Sequence, residues 1–102
     1  MTDTPKAYIV SEAFVTDPEV YGQYASQALA TLEPFGGRFI VRGGNGEAIA
    51  GEAPSARLVI IEFPSREAAL GWRASAEYQR ILKIRDASST SRVYVVDGAP
   101  SL

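Results

Sequence analysis

The chain has 102 residues, of which 46% are hydrophobic and 22% charged, and ten basic against twelve acidic side chains give a formal net charge of −2. That is the length of one domain with an ordinary apolar content, and no basic run supplies the electrostatic footprint of a nucleic-acid binder. It contains no histidine and no cysteine, which removes the commonest general base, the usual metal and haem ligands, any disulfide and any thiolate nucleophile.

Residues 6–14, Lys6 to Phe14, are rich in β-branched and aromatic types and predict a first strand. Thr16-Asp17-Pro18-Glu19 opens a helix: Asp17 suits the cap, Pro18 the first helical position and Glu19 the positive end of the dipole. The stripe Tyr21, Tyr24, Ala25, Ala28, Leu29 and Leu32 has a helical period, and Gly36-Gly37 ends it. A second strand follows over 38–42. Residues 43–55 hold four glycines and a proline around Glu47-Ala48-Ile49-Ala50, and read as an exposed arm or wide hairpin with a short strand of its own. Gly43-Gly44-Asn45-Gly46 lacks the Lys-Ser/Thr ending of a phosphate loop and is a turn.

Arg57 to Phe63 is the clearest strand in the chain. Pro64 stops it, and Ser65 caps a helix running to about Arg73 with Ala69 and Trp72 facing inward. Ser75 caps a further short helix, Ala76 to Lys83, carrying Tyr78, Ile81 and Leu82. Arg92 to Val96 is the last strand, and the tail from Asp97 to Leu102 is expected to be loose. Met1 to Lys6 lacks the layout of a signal peptide, and no apolar run is long enough to span a bilayer. The expectation is a cytoplasmic single domain over 1–102, with its core in about 6–97, the exposed arm at 43–55, no membrane segment and no nucleic-acid partner.

The order β-α-β-β-α-β is the ferredoxin-like plan, an α+β fold with an antiparallel sheet carrying helices on one face. Side chains alternate along a strand, so the two faces can be sorted. Ile9, Phe39, Val41, Val59, Ile61, Phe63, Val93 and Val95 make an apolar face for the helices. Tyr8, Val10, Glu12, Arg38, Ile40, Arg42, Leu58, Ile60, Glu62, Tyr94 and Val96 make the other. That face is too apolar to stand open and too charged to be a plain core. A second copy of the sheet packed on it resolves the conflict, which predicts a homodimer with charged residues lining clefts near its ends.

Arg38 and Arg42, four apart and on one face of the strand by alternation, between glycine pairs, either hold an anion or neutralise carboxylates from a neighbouring strand. In the first case they stabilise an oxyanion, Glu62 is the candidate proton acceptor, Tyr78 the donor and Trp72 a wall, with Arg80, Lys83 and Arg85 bringing positive charge towards Tyr78. The ligand is then a small anionic or aromatic molecule between sheet and helices. In the second case the charges are a structural network at a dimer interface, Tyr78 is a packing tyrosine and Trp72 a core anchor. A carboxylate beside an arginine keeps its charge, which counts against Glu62 as a general acid. Whether Glu62 pairs with Arg38 or with Arg42 is open at this level. No metal or flavin motif is visible, so no cofactor is expected.

Val15 to Tyr21 with Tyr24, Phe35 to Gly44, Val59 to Ser65 with Ala68, Ala69 and Trp72, and Ser75 to Gln79 with Arg85 together resemble the domain of unknown function 1330 family over about residues 6–97. Ala76 departs from the pattern, standing where a proline often follows the serine. The resemblance implies a dimeric α+β barrel related to small cofactor-independent monooxygenases and muconolactone-isomerase-like enzymes. It implies no particular activity, and the absence of histidine sets the haem-degrading relatives apart. Two functions follow: a small-molecule binder or cofactor-independent enzyme using Arg38, Arg42, Glu62, Tyr78, Trp72 and Arg85, or a non-catalytic dimeric stress or regulatory module.

Overall fold

The computed structural model describes residues 4–100; the expectations for Met1 to Asp3 and for the last two residues of the tail lie outside it. The elements are β1 (Ala7–Val15), α1 (Pro18–Leu32), a 3₁₀ turn (Glu33–Phe35), β2 (Arg38–Arg42), β3 (Arg57–Phe63), α2 (Arg66–Ala74), α3 (Ala76–Ser88) and β4 (Ser89–Asp97). The four strands form one antiparallel sheet in the order β2-β3-β1-β4. This is the ferredoxin-like plan, with its second helix divided in two.

The local signals act where the sequence puts them. The Asp17 carboxylate accepts the Val20 amide at 3.2 Å, and Ser65 accepts the Ala68 amide at 3.0 Å. Ser75 serves both helices at their corner. Its hydroxyl donates to the Trp72 carbonyl at 2.7 Å, closing α2, and accepts the Tyr78 amide at 3.3 Å, opening α3. At the end of the 3₁₀ turn Gly36 takes a left-handed φ of 70° and its amide returns to the Glu33 carbonyl, a conformation that glycine reaches without strain.

The core lies between the inner face of the sheet and the helices. Ile9, Leu32, Val59, Ile61, Phe63, Trp72, Tyr78 and Ile81 are its large buried members. The indole N–H of Trp72 would be a buried orphan donor; Thr31 accepts it at 3.0 Å.

The boundaries differ from the sequence reading in several places. α3 runs on to Ser88, five residues past Lys83, because no glycine or proline interrupts Ile84 to Ser88. β4 begins at Ser89; the polar run Ser89-Thr90-Ser91 pairs with Val15, Phe14 and Ala13, which an edge strand tolerates. The arm forms no strand, and Ile49 is 98% exposed. The tail is held at its root, where the Gly98 amide donates to the Lys6 carbonyl at 2.7 Å and Arg66 pairs with Asp97 at 3.0 Å.

The largest correction concerns β2. Arg38 lies opposite Glu62 and Phe39 opposite Ile61, but Val41, not Ile40, lies opposite Ile60, and Arg42 lies opposite Val59. Ile40 is an extra residue, a bulge, and beyond it every side chain changes face. Arg38 and Arg42, read as neighbours on one face, therefore sit on opposite faces of the sheet.

Candidate functional site

The bulge divides the predicted site in two. Arg38 and Glu62 stay on the outer face. The Glu62 carboxylate takes Arg38 Nε at 2.9 Å and Lys6 Nζ at 3.4 Å on one oxygen, and the Tyr8 hydroxyl at 3.1 Å on the other. The Arg38 hydrogen bond above all holds its carboxyl below the usual carboxylate range, which keeps it charged and a weak proton acceptor. Glu12 repeats the arrangement on β1, held below its ordinary value by hydrogen bonds from Arg92 at 2.7 Å and Tyr94 at 3.1 Å. Neither carboxylate faces Tyr78 or Trp72, so Glu62 and Tyr78 do not form an acid–base pair in this fold.

Arg42, Trp72, Tyr78 and Arg85 come together on the inner face, around a cavity between the sheet and helices α1, α2 and α3. Ile9, Ala28, Val59, Ile61 and Val93 supply its apolar wall. The Trp72 and Tyr78 rings lie 4.0 Å apart between centroids, tilted by 42° across the α2–α3 corner that Ser75 fixes.

The polar end is built from one arginine and two phenols. Tyr78 and Arg85 stand two helical turns apart on α3, on one face of the helix. Arg85 Nη1 donates to the Tyr78 hydroxyl at 3.2 Å, and that hydroxyl shares a 2.9 Å hydrogen bond with Tyr24 of α1. Burial, reinforced by the neighbouring Tyr78, pushes the Tyr24 pKa far up, so this phenol keeps its proton.

Arg85 itself is only 7% exposed. The acid in contact with it is Asp86, at 3.5 Å and largely in solvent, and its Nε–H is buried without a partner. A buried guanidinium is costly unless something compensates it, and here the protein's own compensation is partial.

Two more arginines stand at the margin. Arg42 is the one exposed side chain among those that line the cavity. It lies over the Phe39 ring, 4.3 Å from the centroid, and donates to the Ala25 carbonyl of α1 at 2.8 Å. Arg57 approaches the Tyr21 ring and has a buried, unpartnered Nε–H. Gly43 makes room for it: φ there is +71°, and a Cβ would run into the Arg57 guanidinium.

The cavity offers about 30 Å³ to the centres of water molecules, room for roughly two of them. A ring-sized ligand therefore enters only if the wall yields, and the Arg42–Ala25 hydrogen bond is its most exposed seam. Among the described residues no three acidic side chains gather closely enough to hold a metal ion.

Sequence reasoning singled out Arg42, Trp72, Tyr78 and Arg85, and missed Tyr24 and Arg57 as site residues. Tyr24 belongs to the helical stripe of α1, and its spacing carries no signal beyond helix periodicity. Arg57 shares its strand parity with Val59, Ile61 and Phe63, so a strict application of alternation puts it on the inner face.

The family model described as Domain of unknown function (DUF1330) matches residues 6–99. A protein of unknown function from Rhodopseudomonas palustris superposes with a TM-score of 0.76 at 18% identity, covering 98% of this chain and 87% of that one. SnoaB, a cofactor-independent oxygenase from Streptomyces nogalater, gives 0.69 at 14% identity, covering 97% and 98%. A putative antibiotic biosynthesis monooxygenase from Nitrosomonas europaea gives 0.57 at 11% identity, covering 96% and 95%. At these identities the likeness is one of fold. Comparison with curated proteins gives no significant match.

Proposed function

The chain belongs to the domain of unknown function (DUF1330) family, and we propose that it is a small-molecule-binding protein that takes a flat aromatic ligand into the cavity between its sheet and its helices. The observation that carries this reading is Arg85. An arginine buried to this degree, in an aromatic cavity and with an unpartnered N–H, is arranged for a partner the chain does not supply. The adjoining Trp72 and Tyr78 rings offer aromatic surface that favours a planar ligand, and the mix of an apolar wall with a few convergent polar groups is typical of ligand sites.

The fold it shares with a cofactor-independent oxygenase supports an extension to catalysis, in which the ligand itself would supply electrons to dioxygen. One fold hosts many chemistries, and the cavity's residues speak first for binding. The competing reading is a non-catalytic dimeric stress or regulatory module, in which the cavity is only packing.

The outer face has its own role in this proposal. Ile40, Leu58, Tyr94 and Val96 stand exposed on it, between the Glu62 and Glu12 clusters whose charges are already neutralised by Arg38, Lys6 and Arg92. Such a surface suits a second copy of itself, and the functional unit is a homodimer packed sheet to sheet.

A thermal-shift screen with aromatic acids, phenols and lactones tests the binding claim, since a ligand that binds only the folded chain raises Tm by mass action. A hit should lose its effect in Arg85→Ala, be weakened in Arg42→Ala and persist in Arg38→Ala. No hit across a broad library, or a hit lost only in Arg38→Ala, would contradict it.

A further inference from the structure

We infer that the cavity binds its ligand as an oxyanion, a phenolate, enolate or carboxylate, and draws it into that charged form on binding. This rests on the ligand site proposed above and adds the ionisation state that the site selects. Tyr24 and Tyr78 have two hydroxyl hydrogens between them, and their 2.9 Å contact uses one, whichever donates. The pair's one further hydrogen bond comes from Arg85, which has no acceptor to offer and donates to Tyr78. One phenolic hydrogen is therefore left over in either arrangement.

Arg85 Nε–H adds a second buried donor without a partner, and Arg57 Nε–H, on the cavity's margin, a third. Among the described residues no carboxylate lines the cavity; Ser11 and Tyr21 add hydroxyls to its walls and Arg42 a further guanidinium at its margin. The site thus holds a surplus of donors and of positive charge in a mostly apolar enclosure. A neutral phenol would bring one more donor. Its conjugate base brings only acceptor lone pairs and a charge that compensates Arg85, so binding and ionisation are coupled, and the released proton goes to solvent.

A ligand whose ionisation is visible reads this directly. para-Nitrophenol is coloured as the phenolate, and para-nitrotoluene is a neutral partner of similar size and shape. At a pH where free para-nitrophenol is mostly neutral, saturating protein should raise the phenolate band. An adjacent opposite charge typically moves a pKa by about one to three units, a preference of ~10-fold or more for the anion. Arg85→Gln should abolish the rise, and Arg85→Lys should keep part of it.

The two phenols give a variant series that does not depend on Arg85 folding correctly. Tyr24→Phe and Tyr78→Phe each leave one hydroxyl with a free hydrogen and should retain most of the rise. The double variant removes both hydroxyls of the pair and should lose a clear part of it. Nitrophenol bound with the spectrum of its neutral form, or nitrotoluene bound as tightly as nitrophenol, overturns the inference while leaving an aromatic-binding cavity in place. If neither compound binds at any pH, both the inference and the reading beneath it fall.

Discussion

Thr31 joins two parts of the core through one hydroxyl: it accepts the Trp72 indole N–H at 3.0 Å and donates to the Ala28 carbonyl at 2.6 Å. Thr31→Val keeps the shape and removes the acceptor, leaving the indole N–H buried and unpaired. An orphaned donor of this kind costs about 1–3 kcal/mol, and urea denaturation should show a loss in that range. At this scale the sequence was readable where chemistry and position agree. Trp72, Tyr78 and Arg85 stood out and do line the cavity. Arg42 reached it by a route that pattern alone hides. Nothing in Arg38-Phe39-Ile40-Val41-Arg42 marks the bulge, because Ile40 is an ordinary strand residue, and a period of two carried through it puts Arg42 on the wrong face. Arg38 and Glu62 lie before the bulge and stay on the outer face where alternation puts them, so the same step parts them from Arg42.

The elements were more legible than their contents. Asp17-Pro18, Ser65 and Ser75 announce helix starts by capping chemistry that acts within three residues, so no tertiary knowledge was needed. The ends of α3 and β4 were not announced. Sheet pairing carries Ser89 to Ser91 into a strand that their own propensity disfavours. Ser75 also shows how an element boundary serves the site. By closing α2 on Trp72 and opening α3 on Tyr78, it sets the angle at which the two cavity rings meet. Ser75→Ala should cost about 0.5–2 kcal/mol, as lost caps do, seen as a lower urea midpoint. It should also weaken ligand stabilisation more than Asp17→Ala, a cap lost away from the cavity. Equal effects of the two on ligand response would deny Ser75 a part in shaping the site.

As a whole the molecule is a flat two-layer plate, 47 × 39 × 16 Å, with a radius of gyration of 14.4 Å, against roughly 13 Å for a compact chain of this length. One side of the sheet has helices and the other does not. Periodicity alone anticipated this, since both faces of the strands carry apolar residues while the helices suffice for only one. The proposed dimer answers that imbalance. In a two-fold interface each substitution acts twice, so Leu58→Glu, which places a carboxylate across from Glu12, should shift the protein to the monomer. Sedimentation equilibrium should show the wild type at twice the chain mass and the variant at one; a monomeric wild type contradicts the assembly.

The chain has a single tryptophan; it lines the cavity, and its indole N–H, bonded to Thr31, gives one isolated NMR signal. Titrating the protein with an aromatic acid that raises its Tm should move that signal in step with saturation, and Arg85→Gln should suppress the movement. Saturable shifts elsewhere, with the Trp72 indole unmoved, would mean that ligands bind outside the helix–sheet cavity, and the central claim would fail.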